Sequence, residues 1–181
     1  MGKTAAELMA ELAKNKEYFD KKDVQDKRVQ DLEDICKSDE QELVRELNRA
    51  GFTVNSVWDL INTKDDYLDA IPILLKHLKV RHHPKILAGI ARSLAIPTLS
   101  EDDKLWQTLA ELYKVTPSDN EIDRPEERGA QQAIAIALEA LSVSQRTKSL
   151  EDVINNTPQG DGIQWLRDKL NEIKINDNSR K

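Results

Sequence analysis

The chain has 181 residues, 39% of them hydrophobic and 33% charged, and a formal net charge of −6 at pH 7. That length and apolar share fit one folded domain, or a small domain with an appendage, and exclude a disordered chain. The acidic balance argues against broad attraction to phosphate backbones, the lone Cys36 excludes an internal disulfide, and no apolar run nears the roughly 20 residues of a membrane span.

Met1-Gly2-Lys3-Thr4 leads into a helical pattern without a signal-peptide core, which points to the cytoplasm. Gly2 does not complete a myristoylation motif, because Ala6 stands where Ser or Thr is needed. No Pro or Gly interrupts residues 3 to 50, and Leu8, Met9, Leu12 and Ala13 have helical spacing. Apolar content thins to Tyr18, Phe19 and Val24 before returning at Val29, Leu32, Ile35 and Cys36. Residues 1–37 therefore read as one long helix or two short ones, a helical extension with a solvated middle.

Ser38-Asp39-Glu40-Gln41 has the spacing of a capping box, Leu43, Val44 and Leu47 follow on one face, and Gly51 can close the helix. A helix over 39–50 is expected. Asn55 or Ser56 is suited to cap a short helix carrying Val57, Trp58, Leu60 and Ile61, and residues 62–66 form a turn. Pro72 falls in the first turn of a helix starting near Asp69, Pro84 has the same place in the next helix, and Pro97 marks that helix's end. Ser100 is placed to cap a helix through about Tyr113.

The apolar stripes Ala70–Leu78 and Pro84–Ile96 recur as Leu105–Tyr113 and Ala130–Leu141, with Ile90, Ala91 and Leu94 repeated 44 residues on as Ile134, Ala135 and Leu138. A helical pair repeated at that period implies an all-α fold, a short α-solenoid of antiparallel helix pairs. A shorter third pair, from Ser149 or Leu150 to Asn156 and from Ile163 to Ile173, suits a terminal cap. Residues 38–173 thus form the repeat domain, and 174–181 a flexible polar tail.

The second connection within a pair, Lys114 to Glu126, is nine residues longer than the first, counting Lys79 to Ile86 against Lys114 to Ala130. Nine acids stand against three bases between Glu101 and Glu127, so this stretch carries the whole charge excess. Insertions between repeat helices gather on one face, often the binding face. Asp119, Glu121, Asp123, Glu126 and Glu127 are accordingly the candidate partner-binding residues, because a loop of one sign steers a basic partner.

Other constellations point away from catalysis, cofactors and metals. His77, His82 and His83 read as turn histidines, since a zinc site needs further ligands and no Cys-x-x-Cys occurs. Glu101-Asp102-Asp103 would complement a helix dipole, Asp65-Asp66 is one more carboxylate pair, and Gly160-Asp161-Gly162 is too short for a phosphate cradle. Trp58, Trp106 and Trp165, one per structural unit, are expected as core anchors, and Arg92 lies on a solvated stripe or pairs with an acid of a neighbouring unit.

Ala70-Ile71-Pro72-Ile73-Leu74-Leu75-Lys76-His77-Leu78, with Pro84 to Ala95, resembles a HEAT-type repeat; the likeness covers Tyr67–Pro97 well and Leu105–Leu141 loosely. Leu43 to Pro97, including Ser56 to Thr63, resembles small bacterial HEAT-like immunity proteins of polymorphic toxin and contact-dependent growth inhibition systems. The resemblance implies a non-enzymatic protein without cofactor that neutralises a basic toxin domain, such as a nuclease, by binding it, with no direct contact to nucleic acid or membrane. Two other readings stand beside it: a HEAT-like structural adaptor subunit, and a HEAT-like DNA glycosylase, which would need a basic groove.

Overall fold

A computed structural model describes residues 3–12, 16–63 and 67–179, and every regular element among them is helical. In chain order these are α1 (Ala5–Leu12), α2 (Lys16–Arg49), α3 (Trp58–Asn62), α4 (Ile71–His77), α5 (Pro84–Ser93), α6 (Asp103–Val115), α7 (Ala130–Leu141), α8 (Thr147–Asn156) and α9 (Ile163–Asn178), joined by short 3₁₀ turns. Contacts divide the chain into two compact units, Met1–Ser38 and Asp39–Lys181. No helix among the described residues is long and apolar enough to cross a membrane. Asp65 and Asp66 lie outside the described residues.

In the first unit a capping box opens α1: Thr4 N donates to Glu7 Oε2 at 2.8 Å, and Glu7 N donates back to Thr4 Oγ1 at 3.3 Å. The Tyr18 and Phe19 rings meet edge to face at 5.5 Å. Leu8, Met9, Val24, Val29 and Ile35 are exposed on these helices.

One continuous helix runs through Ser38–Gln41, so the capping box expected there does not form. Within a continuous helix the amides of that turn already bond to the preceding turn and need no cap. Asp39 and Glu40 reach distant backbone groups rather than the amides of their own turn, and Glu40, buried, accepts from Ser56 Oγ at 2.9 Å and Val57 N at 3.0 Å. The helix closes as the sequence implies: Gly51 takes φ +99°, Phe52 N donates to Leu47 O, and Gly51 N donates to Asn48 O. Asn48 then pairs with both backbone groups of Val54, which fixes the chain after the turn. Asp59 accepts from the amides of Asn55 and Ser56, and the Ser56 hydroxyl, one of the two expected caps, accepts from Trp58 N at 3.4 Å at the start of α3.

Pro72 and Pro84 occupy first-turn positions of α4 and α5, where the missing N–H costs no intrahelical bond. Asp102 caps α6 by accepting from Leu105 N at 2.9 Å; Ser100, expected in that role, lies two residues too early. In the core, α5 packs on α3 and α7, α7 also on α6 and α9, and α8 on α6 and α9. Gly89 lets α5 approach α3 closely, because a Cβ there would stand 2.5 Å from Val57 Cγ1. Leu43, Leu47, Leu74, Ile90, Leu94, Leu109, Ile134 and Leu138 are fully buried, each contributing about 1.5–3 kcal/mol of apolar burial.

Of the three tryptophans only Trp106 is a core residue. Its indole donates to Ser142 Oγ at 3.3 Å, and the Arg146 guanidinium lies 5.9 Å from the ring centroid. Trp58 and Trp165 are 36% and 39% exposed, each lying against a glycine, Gly89 or Gly162. Arg92 is exposed. Helix α9 continues to Asn178, through most of the segment expected as tail.

Candidate functional site

The long connection between α6 and α7 is acidic as read from sequence, and its backbone is bound at nearly every turn. Helix α7 supplies the anchor. Gln131, buried, donates through Nε2 to Tyr113 O (3.0 Å) and Thr116 O (2.8 Å), and its Oε1 accepts from Asp161 N (2.8 Å). One amide therefore joins the end of α6, the start of α7 and the turn before α9. The Tyr113 hydroxyl adds a bond to Asp161 O at 2.9 Å, and burial pushes its pKa up to about 12.

The five candidate acids separate into different tasks on this frame. Asp119 Oδ1 accepts from Gly129 N at 2.7 Å, while its own amide donates to Asp161 Oδ2 at 2.6 Å, so Asp119 ties the last residue of the loop to its first turn and that turn to the residue before α9's glycine start. Glu121 forms a capping box with Ser118, accepting from its amide at 2.8 Å and its hydroxyl at 3.1 Å. Glu127 pairs with Arg124 at 3.1 Å, and Arg128 reinforces the turn by donating twice to Ile122 O. Asp123 and Glu126 are exposed and make no hydrogen bond or ion pair among the described residues. Burial, with the Asp119 charge adding to it, raises the Asp161 carboxyl above the usual range even though it accepts the Asp119 amide.

Gln131 and Asp161 carry this arrangement, and neither is evident from sequence as part of a site. The available signal is Gln131 itself, a polar residue within the apolar stripe Ala130–Leu141; Asp161 lies in the Gly160–Gly162 turn, 42 residues from the Asp119 amide it accepts.

His77 ends α4, and His82 and His83 follow in the short connection to α5; His77 and the His82 side chain are turned inward. His77 is 3% exposed and the His82 side chain 4%. His82 Nδ1 lies 2.9 Å from Asp39 Oδ2, His82 Nε2 lies 3.1 Å from His77 Nδ1, and His77 Nε2 lies 3.6 Å from Glu46 Oε2. Asp39 Oδ2 also accepts from His83 N at 2.9 Å, and Lys76 pairs with Glu46 and holds its carboxyl below the usual range. With both rings neutral, His82 Nδ1 donates to Asp39 and His77 Nδ1 donates to His82 Nε2. That leaves His77 Nε2 unprotonated before a carboxylate, which accords with its being buried without a hydrogen bond. Burial lowers the His77 pKa against the opposing pull of Glu46. The chain of contacts ties α2 to the α4–α5 connection.

Among the described residues no group of three or more His, Cys, Asp or Glu is placed to hold a metal ion. Comparison with protein-family models, with curated proteins and with solved structures finds no match to this chain.

Proposed function

We propose that this chain is a protein-binding helical scaffold, a short HEAT-like solenoid of antiparallel helix pairs with an N-terminal helical extension. In its narrower form the proposal is a cytoplasmic immunity protein that neutralises a basic toxin domain, such as a nuclease, by covering it. The observation that carries the reading is the acidic connection: a loop pinned by Gln131, Asp119 and Asp161 that leaves Asp123 and Glu126 turned to solvent without partners. A loop already fixed loses little conformational freedom on binding, so its charge acts on association with a small ordering cost. The succession of α5 on α7 and α7 on α9 supports the repeat reading, because each second helix of a pair covers the next.

The five candidate acids enter this proposal in two roles. Asp123 and Glu126 meet the partner, while Asp119, Glu121 and Glu127 shape the loop that presents them.

Co-expression with the protein encoded by the adjoining reading frame tests the function. The expected result is a toxic neighbour whose toxicity this chain suppresses and with which it copurifies as a stable complex. A harmless neighbour, or one that forms no complex, overturns the immunity reading. Copurification with a resident protein of the cell in its place would support the adaptor.

A further inference from the structure

A groove of about 570 Å³ opens between the α4–α5 connection and the last turns of α6, with Leu87 of α5 between them. Its lips are apolar and uncovered: Val80 is 47% exposed and Val115 is 75% exposed. The two walls differ in charge. Lys79 and Arg81 stand on the connection, Glu111 stands on α6, and all three are exposed without an ion pair among the described residues.

Two contacts place this groove beside the acidic loop. Val115 ends α6 and lines the groove, and the loop begins at the next residue; the Pro125–Glu127 turn packs against α5, the helix that supplies Leu87. The partnerless carboxylates Asp123 and Glu126 belong to that neighbouring loop, outside the groove's own lining. Apolar lips next to a patterned charged rim are the arrangement of an interface centre with its surround, and an exposed valine pair has nothing to gain from water.

We propose that the groove is the apolar centre of the partner-binding surface and takes one segment of a protein partner: an aliphatic or aromatic anchor with acidic residues on one side and basic residues on the other. The acids face Lys79 and Arg81, and the bases face Glu111, on the side that leads into the acidic loop. This order of charges fixes the direction in which the segment lies, since the reversed segment would set like charges against both walls. The inference rests on the protein-binding reading above and names the chemistry of the partner at that surface.

Selection of a displayed library of random peptides on the full chain tests it. Enriched peptides are expected to share an apolar anchor between an acidic and a basic flank. Val115→Asp should weaken a synthesised winner by about tenfold or more, the loss typical of a central anchor contact. Because Val115 is exposed, this substitution leaves the fold intact, which circular dichroism and thermal unfolding verify. Lys79→Glu with Arg81→Glu should reject the winner and accept its variant with lysines on the acidic flank. Winners without charge order, or winners that bind Val115→Asp equally well, overturn the proposal. So does concentration-dependent self-association abolished by Val115→Asp, which would assign the groove to a second copy.

The two levels fail separately. An adjoining-frame complex untouched by Val115→Asp removes the groove and keeps the immunity reading; charge-ordered, Val115-dependent peptides without any toxin neighbour do the reverse.

Discussion

The α4–α5 and α6–α7 connections are held by different chemistry. The short one, between α4 and α5, is tied by a carboxylate and two imidazoles contributed by α2, α4 and the connection. The long one, between α6 and α7, is tied by an amide and carboxylates that mostly receive backbone N–H groups. An amide keeps its donors and acceptor at any pH, whereas an imidazole exchanges a donor for an acceptor near neutrality. The difference separates a fixed platform for exposed charge from a joint whose strength follows the proton concentration.

The largest expected effect falls on the amide. Gln131→Leu leaves Tyr113 O, Thr116 O and Asp161 N without their partner and should cost about 3 kcal/mol in denaturant unfolding. A loss below about 1 kcal/mol would mean the loop is held by something else.

The histidine joint should show in the pH dependence of stability. Folding lowers the His77 pKa below the ordinary 6.5, so in the window between the two values the unfolded chain binds the proton more strongly. Stability then rises with pH across that window and falls on acidification, with a slope for one proton of no more than about 1.4 kcal/mol per pH unit. The charged groups around the pair are Asp39, Glu46 and Lys76. His77→Gln should flatten this part of the profile relative to wild type, and parallel profiles would contradict the assignment.

Asp102→Ala removes the cap of α6 and should cost about 1 kcal/mol, read from the unfolding midpoint, while Ser100→Ala should change little. The smallest effect is a gain. Asp161→Asn keeps an oxygen for the Asp119 amide and removes a carboxylate that burial and Asp119 disfavour, so the variant should melt higher at neutral pH. Because the folded pKa of Asp161 is raised, the gain is present above that pKa and vanishes as pH falls through it to below the unfolded value. A lower melting temperature at neutral pH would show that the charge is needed.

Helical periodicity, the two first-turn prolines and Gly51 were legible because each acts within a turn of its own position. The repeated stripe also located α5 and α7 and exposed the insertion between α6 and α7. What sequence hid is what spans distance. Ser38–Gln41 imitates a helix start, yet Asp39 and Glu40 serve backbone groups 44 and 17 residues away, and the helix runs through. His77 and His82 looked like surface residues because their partners lie on α2. The acidic loop was visible as charge, but its division into Asp119, Glu121 and Glu127 as braces and Asp123 and Glu126 as free groups depends on Gly129, Ser118 and Arg124 being in reach.

The most direct test of the central claim is the association rate of this chain with the protein of the adjoining reading frame, measured by stopped flow at low and high salt. With Asp123→Lys and Glu126→Lys together, the rate at low salt should fall by about tenfold or more, and its salt dependence should flatten. An unchanged rate and an unchanged salt slope would contradict the claim that this loop steers the partner.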